Sequence, residues 1–207
     1  MIDHLLVDVI DAIHRSFDQA LLHRQAVEER FQVDVFLGDI SFETSYSLPG
    51  EEQPPRVRAD LSIDWPTWSQ TAYRSWSIGE TPSELPELIV EVALRIQRLA
   101  EPPMLESILT SLPPESPHLG AEALIRTSAT VEQAYEEHGS EGAGLTPVRW
   151  ALEATYEGSM RFEEHHLEDK ETIAPVIESL TRWVASVLVQ MADLPLAFLP
   201  PDPQEAG

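Results

Sequence analysis

Residues 31–48 read FQVDVFLGDISFETSYSL. Phe31, Val33, Val35 and Leu37 alternate with Gln32, Asp34 and Phe36. Beyond Gly38, Ile40, Phe42, Thr44, Tyr46 and Leu48 alternate with Ser41, Glu43, Ser45 and Ser47. A period of two is the spacing of a strand with one covered and one open face. The stretch predicts one long strand with a bulge near Gly38.

The same period recurs downstream. Pro49-Gly50 and Pro54-Pro55 bracket a connection. Val57, Ala59, Leu61, Ile63 and Trp65 then alternate with Arg56, Arg58, Asp60, Ser62 and Asp64, which predicts a second strand that stops at Pro66. Leu88, Val90, Val92, Leu94 and Ile96 predict a third, although a helix also fits there. Val148, Trp150, Leu152, Ala154 and Tyr156 predict another, continuing past a turn or bulge at Gly158 to Met160 and Phe162. Between them the pattern fades. Residues 66–86 are mixed, and proline-rich 100–120 surrounds a short helical patch from Met104 to Leu112. Residues 121–138 fit either strand or helix, and Gly139 to Gly144 reads as a loop.

Helical periods flank these strands. Leu6, Ile10, Ile13, Phe17 and Ala20, with Val27 further on, predict a helix over 2–30 with a heptad-like stripe. That stripe suits packing on its own domain or contact with a partner. Ile173, Val176, Ile177, Leu180, Trp183, Val184, Val187, Leu188 and Met191 give a last helix over about 170–193, with Pro175 tolerated in its first turn. An apolar proline-rich tail, LPLAFLPPD, follows it. Long strands, turn-rich links and terminal helices predict an α+β fold. It has an antiparallel sheet of about four or more long strands, helices on one face, and an extra N-terminal helix. We expect a single domain over 1–207: N-terminal helix 1–30, first strands 31–98, an insertion or irregular middle 99–146, and last strand, helix and tail 147–207.

Thirteen Lys+Arg against 36 Asp+Glu give a formal net charge of -23 over 207 residues. This charge disfavours nucleic acid and anionic membranes and favours basic partners. Hydrophobic content of 43% is that of a globular chain. There is no Cys, which fits a cytoplasmic location and removes thiolate chemistry. No secretory leader or membrane-spanning run is read.

Motifs for phosphate loops, dinucleotide folds and nucleophile elbows are absent. The acidic, histidine-bearing run Glu163–Asp169 lacks metal-ligand spacing and reads as a solvated connection at a helix start. We therefore expect no enzyme, no catalytic residue, no metal and no cofactor. Trp65, Trp68 and Trp76, with Tyr73, either fill a core or line a site for apolar chain segments.

Asp39-Ile-Ser-Phe-Glu43 within the opening stretch resembles the first strand of the SecB family of export chaperones. The run LEATYEGSMRF around Gly158 is similar to that family's last strand, and the closing helix with LPLAFLPPD is similar to its C-terminal end. The resemblance covers about half the chain in three pieces. It departs from the family in its long N-terminal helix, its longer 99–146 segment and the missing glycine before the tail. It implies a homo-oligomer, a dimer or tetramer, that holds unfolded client polypeptides in apolar grooves without ATP. It also implies an acidic sheet face that docks a basic partner such as a translocation motor. Asp39, Glu43 and Glu153 are the expected docking residues; Trp65, Trp68, Trp76, Trp183 and Met191 are the expected client contacts. A structural or assembly protein that oligomerises through its N-terminal helix is the alternative.

Overall fold

The computed structural model describes residues 4–25, 29–120, 122–137 and 145–201. Its elements are α1 (His4–Gln19), β1 (His23–Arg24), β2 (Arg30–Val33), β3 (Ile40–Ser47), β4 (Val57–Trp65), α2 (Thr67–Ser77), β5 (Glu87–Leu99), α3 (Leu105–Ser111), β6 (Glu115–Leu119), β7 (Glu122–Glu137), β8 (Leu145–Arg161), α4 (Glu164–Glu168) and α5 (Ala174–Ala192). The fold is α+β, built on an eight-stranded antiparallel sheet ordered β1-β3-β4-β5-β8-β7-β6, with β2 also paired to β3.

The alternation read from the sequence sets the covered face. Phe42, Ile63, Val90 and Gly158 share one cross-strand row; Thr44, Leu61, Val92 and Tyr156 the next; Tyr46, Ala59, Leu94 and Ala154 another. All the larger side chains in these rows are buried. Helix α5 covers this face, packing on β4 and β6, and α1 packs beside α5. Phe17 of α1 stacks on Tyr46, with ring centroids 4.0 Å apart. One apolar core therefore runs from Leu5 to Met191. No helix among the described residues is long and apolar enough to cross a membrane.

Three expectations are corrected. The helix expected over 2–30 ends at Gln19. Leu21 takes a left-handed conformation (φ 60), and the Leu22 amide donates to the Phe17 carbonyl, closing the helix end. The chain then turns into β1; Val27 lies outside the described residues. The single strand expected over 31–48 is a hairpin. Asp34 Oδ1 accepts from the amides of Phe36 and Leu37, Gly38 takes φ 75, and β2 folds back on β3 with Phe31 opposite Phe42. The period of two resumes after Gly38 with its phase changed, and a bulge and a reversal both give that pattern. Residues 99–146, expected as an insertion or irregular middle, hold regular elements among their described residues. β7 pairs along β8 and β6 along β7, extending the sheet. Gly139 to Gly144 lies outside the described residues.

The C-terminal tail is seated on the end of β5. Phe198 bridges Leu99, the Leu199 amide donates to the Arg98 carbonyl, and Arg56 lies over the Phe198 ring.

Candidate protein-binding face

The polar phase of the strands points away from α5 and forms the second face of the sheet. Its rows follow from the register. Arg30, Glu43, Ser62, Glu91, Glu157 and Ile125 cross β2, β3, β4, β5, β8 and β7 in line. Ser45, Asp60, Ala93 and Thr155 form a neighbouring row, and Ser47, Arg58, Arg95, Glu153 and Thr130 the one beyond.

Several of these carboxylates are held by local partners. Ser41 donates to Asp64 and Ser45 to Asp60, each at 2.5 Å, and Arg58 pairs with Asp60 at 3.1 Å. Thr127 donates to Glu157 at 2.8 Å. Arg95 pairs with Glu153 at 3.3 Å and also with Glu132. The hydroxyl contacts fix where negative charge sits, while Arg58 and Arg95 offset part of it. Glu91 is exposed, yet its carboxyl is held above the ordinary glutamate range. Partial desolvation is the largest cause, followed by repulsion from Glu157, Glu153, Asp64 and Glu43. Arg30, Glu43, Arg58, Asp60 and Glu91 line a shallow depression of about 300 Å³ on this face.

At one edge of the face the β2–β3 hairpin presents apolar side chains to solvent. Val35 is 91% and Phe36 97% exposed, and Leu37, Phe31 and Val33 are exposed beside them. β2 is short and exposed at each position. Apolar groups clustered at a strand edge are a typical protein contact surface.

The expected site residues separate into groups. Glu43 and Glu153 lie in the rows of the open face. Asp39 has a local partner: its Oδ1 accepts from the Thr67 amide at 2.7 Å and from Thr67 Oγ1 at 2.9 Å. It thus supplies the cap that Pro66, at the N-cap of α2, cannot. Trp65 and Met191 are fully buried in the core, so they offer no surface to a client. Trp65 instead donates to Ser69 Oγ at 3.1 Å, and Ser69 in turn bonds both the amide and carbonyl of Glu87. Trp183 packs edge-on against Tyr156, and Trp76 stacks on Tyr73. Trp68, 42% exposed, is the most open of the five named apolar residues. These side chains are not gathered into one groove.

Glu91, Glu157 and the hairpin tip were not singled out from the sequence. Glu91 was legible as a polar-phase residue of β5, but its placement opposite Glu157 needed the register. In the Glu163–Asp169 run, Glu163 and His166 form a capping box at the start of α4. Burial, then the neighbouring His165, hold the His166 imidazole below its usual range, with Glu163 opposing. No group of three or more His, Cys, Asp or Glu suited to a metal occurs among the described residues.

Comparison with protein-family models, with curated proteins and with solved structures finds no match.

Proposed function

We propose that the chain is an ATP-independent holdase-type chaperone that binds unfolded or unassembled polypeptides and works in the cytoplasm. The observation that carries this reading is the pairing of an exposed acidic row on the sheet with an exposed apolar hairpin at its edge. Glu43, Glu91 and Glu157 share one row of that face, and Phe31, Val33, Val35, Phe36 and Leu37 stand beside it. An unfolded segment carrying both basic and apolar side chains matches both halves. Its apolar groups cover the hairpin, and its cations are drawn to the carboxylate rows. Extended backbone can also pair with the open edge of β2.

The SecB-like stretch Asp39–Glu43 supports the same class of function, with Glu43 and Glu153 as docking residues for a basic partner, such as a translocation motor, and Asp39 assigned first to the cap of α2. Client contacts move from the tryptophans to the hairpin. Assembly through the N-terminal helix is the weaker reading. Leu5, Leu6, Val9, Ala12, Ile13 and Phe17 bury the apolar stripe of α1 inside the protomer. A dimer or tetramer would use other surfaces.

The test is light scattering from a thermally denaturing client mixed with equimolar protein. Suppression is expected for the wild-type chain, and its loss for a Val35→Ser/Phe36→Ser/Leu37→Ser variant. A chain that leaves scattering unchanged would refute the holdase reading.

A further inference from the structure

A cleft of about 380 Å³ opens where β5 bulges against β8. Gln97 and Arg98 together oppose Ala151 alone, because Ile96 pairs with Leu152 and Leu99 with Trp150. Arg95, Arg98 and Arg149 all line this cleft, a concentration of guanidinium groups in a chain with only 13 Lys+Arg. The volume falls in the range of small-molecule sites, about 300–1,000 Å³.

Arg98 is the unusual member. It is only 7% exposed, and its Nε and Nη1 are buried without a hydrogen-bond partner. Arg95 Nε is buried and unpartnered as well. The carboxylates of Glu132, which also lines the cleft, and of Glu153 engage the Nη atoms of Arg95, while Nε and Nη1 of Arg98 have no partner. A buried guanidinium keeps its charge, so unmet donors there are costly unless an anion is bound. Arg98 also takes φ 60, a left-handed conformation that a non-glycine residue adopts at a cost. Its carbonyl is tied to the Leu199 amide at 2.7 Å, which anchors the backbone in that conformation. Strain, burial and unpaired donors thus coincide at one arginine that lines the cleft.

We propose that this cleft binds a phosphate-type oxyanion, as free phosphate or as the phosphate group of a small ester, with Arg98 as the principal donor and Arg95 beside it. A tetrahedral anion directs acceptor oxygens several ways and takes donors from both residues at once. A planar carboxylate presents its oxygens to one guanidinium edge. The site is separate from the carboxylate row of Glu43, Glu91 and Glu157 and does not depend on client binding.

Titration calorimetry of the full chain with inorganic phosphate, a nucleoside monophosphate and acetate tests the proposal. Binding of phosphate or of the ester is expected, with acetate weaker; tighter binding of the ester than of free phosphate identifies the ester as the source. Arg98→Asn keeps a residue tolerant of the left-handed conformation and removes the charge. It should weaken phosphate binding about tenfold or more, since charge-assisted bonds are the strong ones, while thermal unfolding in chloride confirms that it folds. Phosphorus-31 line broadening with the wild-type chain gives an independent readout. No binding of either phosphate probe, acetate binding as tightly, or Arg98→Asn binding as well as wild type would overturn it.

Discussion

Glu91 and Glu157 stand directly opposite each other on β5 and β8, two carboxylates in one cross-strand pair on the open face of the sheet. Like charges in that arrangement cost stability, and a sheet selected for stability alone would place opposite charges there. The cost makes sense if the negative row is used. Glu91→Gln should therefore stabilise the chain by about 0.2–1 kcal/mol at neutral pH, measured by urea unfolding. Destabilisation would show that the pair is held by something other than repulsion.

Partial desolvation of Glu91, with repulsion from Glu157, sets a pH dependence. The Glu91 carboxyl is raised in the folded chain, so it binds its proton more tightly there than when unfolded. Stability from this group grows as pH falls through the folded value toward the ordinary glutamate value, and is lost as pH rises again. The advantage of Glu91→Gln over wild type should shrink as pH falls from neutral toward the ordinary glutamate value of about 4.3. Parallel curves for the two proteins would remove Glu91 as the titrating group.

Asp39→Ala should lower stability by about 1 kcal/mol through loss of the α2 cap, with Asp39→Asn milder. Binding of a basic partner at the open face should be unchanged once the folded fraction is accounted for. A selective loss of partner binding with intact stability would return Asp39 to the docking surface.

Gly158 marks a close approach of strands. A Cβ there would lie 3.0 Å from Leu124 Cδ2 and 3.1 Å from the Ala123 carbonyl oxygen. Gly158→Ala is expected to cost about 1–3 kcal/mol, read from the shift in unfolding midpoint. A neutral effect would mean that β7 shifts freely over β8.

Much of the sheet was legible because its signal is local. β4, β5 as far as Ile96, and the middle of β8 alternate, so Leu61, Val92 and Tyr156 declared one face and Ser62, Glu91 and Glu157 the other. What was hidden depended on contacts across the chain or on uncommon backbone. Leu21 ends α1 in a conformation that sequence rules reserve for glycine or asparagine. The Asp34 turn reverses the chain with a single change of phase near Gly38, which a bulge in one strand would also give. Asp39 looked like a surface acid because its partner, Thr67, is 28 residues away. Trp65 and Met191 carried the composition of a binding site, and the packing of α2 and α5 turned both into core. The face itself was foreshadowed by Glu43 and Glu153; its strongest row needed the β5–β8 register.

The central claim is that the acidic face and its apolar hairpin bind unfolded polypeptide. Fluorescence anisotropy of a labelled, permanently unfolded basic polypeptide titrated with the full chain tests it most directly. The account predicts saturable binding that weakens as salt screens the face. It also predicts weaker binding for Glu43→Lys/Glu157→Lys, and weaker binding for the hairpin serine variant, with both variants folded. Absence of binding, or binding indifferent to both sets of substitutions, would contradict it.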